Sequence, residues 1–323
     1  MNKQLRVVTV GAATQDVFLT GAAFAAKRDV RSSDYVEQFP LGGKLDVDKV
    51  YFETGGGGSN AAVTFARQGF DVSYWGKIGH DAAGAEVIRV LRREGIATNR
   101  MAFDEKLGTG YSAILLAPKG ERTVLSYRGA SHNLHADDFP IRTMAADWLY
   151  ITSLAGNFDL LGKLLKQANA KNIEVALDPG NAELADPKRL KQLLPFVRVL
   201  KANKEELGGL FGHEDPKDIL RSAAKFVQLA IMTDGGKGCY ATDGASLYHA
   251  GQYQKVKVVD RLGSGDAFGS GFVAALAQGQ SIEQAITLGS ANSTAVVSKI
   301  GAKTGILRAG GRLRKMVIEV TEL

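Results

Sequence analysis

Short apolar runs alternate with amphipathic stretches along most of the chain. Runs rich in β-branched and aromatic residues occur at Arg6–Val10, Val72–Trp75, Trp148–Ile151, Glu174–Leu177, Val197–Leu200, Ala230–Thr233 and Val256–Val259, and each reads as a strand. Between them, Ala82–Glu94, Leu160–Ala170, Pro187–Leu194 and Asp218–Val227 repeat their apolar positions at helical spacing. Ser281 and Gln284 form a capping-box pattern that opens a further helix running towards Lys299. Strand–helix alternation of this kind predicts an α/β fold, a parallel sheet covered by helices on both faces.

Two regions break the alternation. Residues 17–53 are too long for an ordinary strand–helix connection and contain β-like pieces such as Lys49–Phe52. Residues 108–128 read as a hairpin, Tyr111–Leu116 and Thr123–Tyr127 joined by Pro118-Lys119-Gly120-Glu121. Both belong in one small sheet, either a lid over the ends of the parallel strands or an edge extension that only shields them. The expected organisation is therefore one domain over residues 1–323, with a lid formed by about 17–53 and 108–128.

Composition narrows the class. Hydrophobic residues make up 45% and charged residues 23% of the 323 positions, as in ordinary globular domains. The net charge of +6 comes from scattered Lys and Arg, with no dense basic block that would point to nucleic acid. A single cysteine, Cys239, excludes an internal disulfide and a cysteine metal cluster. The apolar run Leu5–Gly11 is too short for a membrane span or a signal peptide, so a cytoplasmic protein that binds no membrane is the expectation.

The chemistry concentrates in two glycine segments. Val256–Val259 leads into a loop with Gly263 and Gly265, then into a helix carrying Phe268, Phe272 and Leu276 on one face. A helix start of this kind leaves backbone N–H groups unpaired at the positive end of the helix dipole, which makes an anion site. Asp266 sits inside it. It either complements the dipole or stands as a base beside a bound phosphate. The second segment is Thr54-Gly55-Gly56-Gly57-Gly58-Ser59-Asn60, followed by the helical stretch Ala61–Gln68. Asn60 there offers a donor and an acceptor to a polyol, or simply caps the helix. Asp16, just after the first strand, lies where α/β proteins place ligand contacts. A phosphate-binding P-loop, a dinucleotide fingerprint, a serine-hydrolase elbow and histidine metal spacings are all absent from the sequence.

The order of these segments resembles the ribokinase-like (PfkB) carbohydrate kinase family over essentially the full chain. The resemblance rests on Asp16, Gly55-Gly56-x-Gly58-x-Asn60, Lys77-Ile78-Gly79-His80-Asp81, Asn203-Lys204-Glu205-Glu206, Thr233-Asp234-Gly235-Gly236-Lys237-Gly238, Asp260-Arg261-Leu262-Gly263-Ser264-Gly265-Asp266 and Lys299-Ile300-Gly301-Ala302. It implies a ribokinase-like sandwich with a β-sheet lid and an ATP-dependent kinase acting on a sugar hydroxyl. Asp266 would be the base, and the backbone of Gly263, Ser264 and Gly265 the anion hole. Asp16, Gly56, Gly57 and Asn60 would hold the substrate, with Arg128 as a further contact. Thr233, Gly235, Gly236 and Gly238 would line the nucleotide, with Ser290 and Asn292 on its adenine side. Asn203 and Glu206 would lie near the triphosphate, and Glu206 would hold magnesium through water. Asp260 and Gly301 would be the place for a monovalent cation such as potassium.

The chain also departs from the family's pattern. Arg261 replaces a threonine of the signature, Gly57 stands where ribokinases proper carry a lysine, and Ala155-Gly156 replaces a sugar-binding glutamate. These leave two substrate expectations, a free sugar (pentose or ketohexose such as ribose or fructose) or a nucleoside. A non-catalytic sugar or nucleotide sensor lies outside the enzyme class. A homodimer paired through the lid is the expected assembly.

Overall fold

The computed structural model describes residues 4–29, 35–117 and 122–323. A nine-stranded sheet forms its centre, in the order Ile318–Glu322, Ser246–Ala250, Cys239–Thr242, Leu229–Thr233, Val199–Asn203, Glu174–Leu177, Trp148–Ile151, Arg6–Val10, Asp71–Trp75. From Leu229–Thr233 onwards in that order the neighbours are parallel, and the three strands before it are antiparallel. Alternate residues of the parallel strands feed two cores. Trp148 and Tyr150 face one with Phe65, Leu91, Phe272 and Ile286, while Leu149 and Ile151 face the other with Leu161, Leu190, Leu207 and Ile219. This is the ribokinase-like sandwich expected, with helices on both faces.

Three sequence readings need correction. Val256–Val259 is not a strand. Both edges of Leu229–Thr233 are already taken, by Val199–Asn203 and by Cys239–Thr242, so no parallel place is left for it. Among the described residues, only its Val259 N–H is tied down, to the carbonyl of Val297 at 2.7 Å. The sheet, expected to be parallel, ends after Gly238 in three antiparallel strands that are not among the strands read from the sequence. The helix expected from Ala61 begins four residues earlier, as Gly57–Arg67. Gly58 can join that helix because a Cβ there would come within 2.8 Å of the Gly11 backbone, so only glycine lets the two segments touch.

The second sheet has four strands, in the order Arg122–Tyr127, Gly110–Leu116, Thr14–Thr20, Lys49–Gly55. The hairpin pairs antiparallel as expected, and the turn read at 118–121 lies outside the described residues. The pairing of Asp16 with Glu53 and with Ser112 places all three on one face, together with Arg122 at the same parity. On the opposite face Val17 and Leu115 are buried, but Val50, Phe52 and Leu125 remain exposed.

Candidate active site

The helix Ser264–Ala277 starts at the carboxyl ends of the parallel strands, and its geometry depends on Gly263. That residue has φ +74°, and a Cβ on it would overlap Ala302. The N–H groups of Gly265 and Asp266, in the first turn, have no side-chain cap and stay open to a ligand. Ser264 turns its hydroxyl back to the Arg261 carbonyl, at 2.9 Å.

Asp266 meets the second glycine segment. Asn60 Nδ2 donates to Asp266 Oδ2 across 2.8 Å. The other oxygen, Oδ1, looks towards Gly57: a Cβ added to Gly57 would lie 3.3 Å from it and 3.2 Å from the Thr152 side chain. Gly57, Thr152 and Asp266 therefore bound a space that a side chain at position 57 would fill. Gly56, with φ +91°, could carry no Cβ without striking the backbone of Ala12.

Asp16 stands on the small sheet beside Gly55, the first glycine of the second segment. It is buried, and Thr14 Oγ1 donates to its Oδ1 at 2.9 Å. Burial raises its pKa, against the hydrogen bonds of Thr14 and Ser112 and the charge of Lys303. A Cβ on Gly55 would overlap the Asp16 carboxylate, so this glycine too gives way to a neighbouring functional group.

Beneath the first turn of the helix lies a buried polar group. Lys201 Nζ donates to Asp178 Oδ2 at 2.9 Å and comes within 3.3 Å of the place a Gly265 Cβ would occupy. Burial opposes the Lys201 charge, but Asp178, Asp266 and Glu206 outweigh it and raise its pKa. Burial also pushes Asp178 up to about 6, with Lys201 opposing and Asp266 adding. The Tyr150 hydroxyl nearby is buried without a hydrogen-bond partner among the described residues.

On the other side of the helix start opens a cleft of about 370 Å³. It brings together Thr233, Gly235, Gly236, Gly238, Ser290, Ser264 and Gly265, far apart in sequence and expected to share one ligand. Val256, Val258, Tyr253 and Phe268 give it an apolar wall, and Arg261 stands in its lining. Cys239 belongs to that wall as a neutral thiol, its pKa pushed up to about 12 by burial.

Asn203 and Glu206 hold each other in a reciprocal capping box. The Glu206 N–H donates to Asn203 Oδ1 at 2.9 Å, and the Asn203 N–H to Glu206 Oε2 at 2.8 Å. Asn203 Nδ2 and Glu206 Oε1 remain without partners among the described residues, and neither residue is in the lining of the cleft.

Asn292 lies outside the cleft. It is fully buried, donating to the Ala267 carbonyl at 2.8 Å and accepting from the Leu307 N–H at 2.9 Å, so its amide is spent on packing three segments. Arg128 is exposed after the strand Arg122–Tyr127 and makes no polar contact with the site among the described residues. Asp260 accepts from the N–H groups of Leu262 at 3.0 Å and Gly301 at 3.2 Å, and faces the Arg122 guanidinium at 3.9 Å.

The model of the pfkB family of carbohydrate kinases matches residues 25–308. The chain belongs to this family. Like its members, it is a phosphotransferase. It is 29% identical to a ribokinase of Haemophilus influenzae, over 78% of this chain and 83% of that one. It is 26% identical to fructokinase-1 of Oryza sativa subsp. japonica, over 77% and 83%. Among solved structures, the nucleoside kinase of Methanocaldococcus jannaschii superposes with a TM-score of 0.76 at 21% identity, covering 95% of this chain and 96% of that one.

Within this pfkB kinase, sequence reasoning overlooked Lys201, Asp178, Thr152 and Lys303. Two of them left a signal. Lys201 is a charge inside the buried strand Val199–Asn203, and Asp178 follows directly on the carboxyl end of Glu174–Leu177. For the magnesium that the family implies, Glu206 offers its Oε1, and the described residues include no group of three or more His, Cys, Asp or Glu side chains that could hold a metal. Such a donor set fits an ion that keeps most of its water and binds through nucleotide phosphates.

Proposed function

We propose that this kinase transfers the γ-phosphoryl group of ATP to a hydroxyl of a free sugar, a pentose or ketohexose, by direct in-line displacement. The reading is carried by one observation: Asp266 has one oxygen held by Asn60 and the other turned into a space walled by Gly57 and Thr152. That oxygen takes the proton of the acceptor hydroxyl as the hydroxyl oxygen forms its bond to the γ-phosphorus. The bond from that phosphorus to the bridging oxygen breaks, and its electron pair leaves with ADP. The open N–H groups at the start of Ser264–Ala277 and the nearby Lys201 ammonium face the migrating charge.

ATP fits the cleft, with its base against Val256 and Val258 and its phosphates towards Gly265. Bound magnesium, held from Glu206 through water, would neutralise phosphate charge. The four-stranded sheet acts as a lid, since its polar face carries Asp16 and Arg122 towards the site and its closure would exclude water. A sensor would need neither the carboxylate nor the space beside it. The exposed Val50, Phe52 and Leu125 support pairing of the lid with a second copy. No helix among the described residues is long and apolar enough to cross a membrane, and dependence on ATP supports a cytoplasmic place.

The test is ADP release from ATP with a panel of pentoses, ketohexoses and nucleosides. Turnover with a free sugar and recovery of its phosphate ester is expected. Turnover confined to nucleosides would replace the sugar reading, and no turnover with any of them would leave the sensor.

A further inference from the structure

Lys303 takes no part in the steps above, yet it is buried against Asn60, the residue that holds Asp266. Only 4% of it is exposed. Its Nζ donates to the Thr54 carbonyl at 2.7 Å, to Asn60 Oδ1 at 2.8 Å and, more weakly, to the Gly55 carbonyl at 3.4 Å. A side-chain amide has two unlike ends, one that only accepts and one that only donates. Because Lys303 offers donors, Asn60 must turn Oδ1 towards it, and this leaves Nδ2 facing Asp266. With the amide rotated by half a turn, donors would oppose donors at Lys303 and an oxygen would oppose the Asp266 carboxylate.

The backbone of Lys303 is anchored as well. Arg67 Nη1 donates to the carbonyls of Lys303 and Ile306, both at 2.8 Å, while Arg67 Nη2 pairs with Glu94 at 2.7 Å. Asn60 and Arg67 lie on the same helix, so that helix holds Lys303 by both its side chain and its backbone carbonyl. The charged groups facing the amine are Asp16 and Glu53 from the small sheet, Asp266 from the helix Ser264–Ala277, and Arg67. Burial lowers the Lys303 pKa to about 7 in spite of those three carboxylates. An uncharged amine keeps two N–H donors, so the two short contacts, to Thr54 and Asn60, do not require the charge.

We propose that Lys303 is a positioning residue that fixes the flip of the Asn60 amide, and through it the orientation of Asp266, while tying both to the last residues of the strand Lys49–Gly55. This rests on the reading of Asp266 as the base. It also gives the departure at Gly57 a counterpart: the start of the helix Gly57–Arg67 brings no amine to the site, and the late loop brings one to Asn60 from the other side.

The test uses the full-length Lys303→Met and Lys303→Gln variants, with Asp266→Asn as control. Crystal structures report the Asn60–Asp266 contact, calorimetry reports binding of a non-hydrolysable ATP analogue, and rates are taken with D-ribose, D-fructose and adenosine in turn. In Lys303→Met the contact should be lost and kcat should fall by about 10²-fold, the scale expected for a misplaced catalytic group, with analogue affinity unchanged. Lys303→Gln, which still donates to Oδ1, should keep the contact and most of kcat. The proposal is overturned if Lys303→Met keeps the contact, if kcat and nucleotide affinity fall together, or if neither variant folds, which would make Lys303 a purely structural residue. A wild-type chain idle on all three acceptors, or an Asp266→Asn variant as active as wild type, would instead remove the proposed reaction. The contact seen in the variant crystals would still decide what Lys303 does.

Discussion

Asn60 and Asp266 stand 206 residues apart in the chain, and Asn60 donates to Asp266 across 2.8 Å. The bond joins the start of the helix Gly57–Arg67 to the start of the helix Ser264–Ala277. It occupies Oδ2 and leaves Oδ1 as the oxygen that can meet an acceptor. The two glycine segments, separate in sequence, are thus the two walls of one site.

In the proposed reaction Gly57 keeps the acceptor space open. A methyl group there would sit 3.2 Å from Thr152 and 3.3 Å from Asp266 Oδ1, tighter than ordinary van der Waals contact. Gly57→Val should therefore lower kcat/KM for the acceptor by about 10²-fold or more, since displacing the reacting hydroxyl by an ångström is enough for that loss. Binding of an ATP analogue, measured by calorimetry, should stay unchanged because the nucleotide cleft lies on the other side of the helix start.

Glu206 allows its two roles to be separated. Glu206→Gln keeps an oxygen that can accept from the Asn203 N–H, so the capping box and the melting temperature should hold. Its loss of charge should lower turnover by at least about tenfold and raise the magnesium concentration needed for half-maximal rate. Asn203→Ala, by contrast, removes the acceptor for the Glu206 N–H and should cost about 1 kcal/mol in a denaturation experiment.

Lys303 sets a pH signature on stability. Its folded-state pKa is lowered from 10.5 to about 7, so between those values the unfolded chain binds the extra proton. Stability from this group therefore rises with pH across that window. The melting temperature of wild type relative to Lys303→Met should climb between pH 7 and pH 10. A constant difference would contradict the buried amine's depressed pKa.

Potassium should matter little. The Asp260 carboxylate, expected to carry a monovalent cation, has the Arg122 guanidinium 3.9 Å away and two backbone N–H donors on its oxygens. Replacing sodium by potassium in the assay should change kcat by less than about twofold, as charge at this site is already supplied. A strong stimulation would show that Arg122 does not serve this carboxylate.

The sheet and its helices were legible because strands buried on both faces read as continuous apolar runs, as at Trp148–Ile151. Val256–Val259 is also rich in β-branched residues, but the edge of Leu229–Thr233 beside which it would pair is held by Cys239–Thr242, and strand pairing is not written in a local run. The strand Thr14–Thr20 was hidden for a related reason: its partners Lys49–Gly55 and Gly110–Leu116 lie far along the chain. Among site residues, glycines and Asp266 announced themselves through spacing. Lys303 did not, since a lysine in a polar loop looks like any surface lysine until the fold buries it against Asn60. Asn292 shows the converse, a polar residue near a motif whose amide serves only packing.

The proposed transfer turns on Asp266 accepting the proton of the hydroxyl that is phosphorylated. It is tested most directly by Asp266→Asn, with single-turnover transfer from γ-labelled ATP to the best acceptor and analogue affinity measured in parallel. Turnover should fall by about two to four orders of magnitude while nucleotide affinity stays within about twofold of wild type. Transfer at a near-normal rate in that variant would contradict the account.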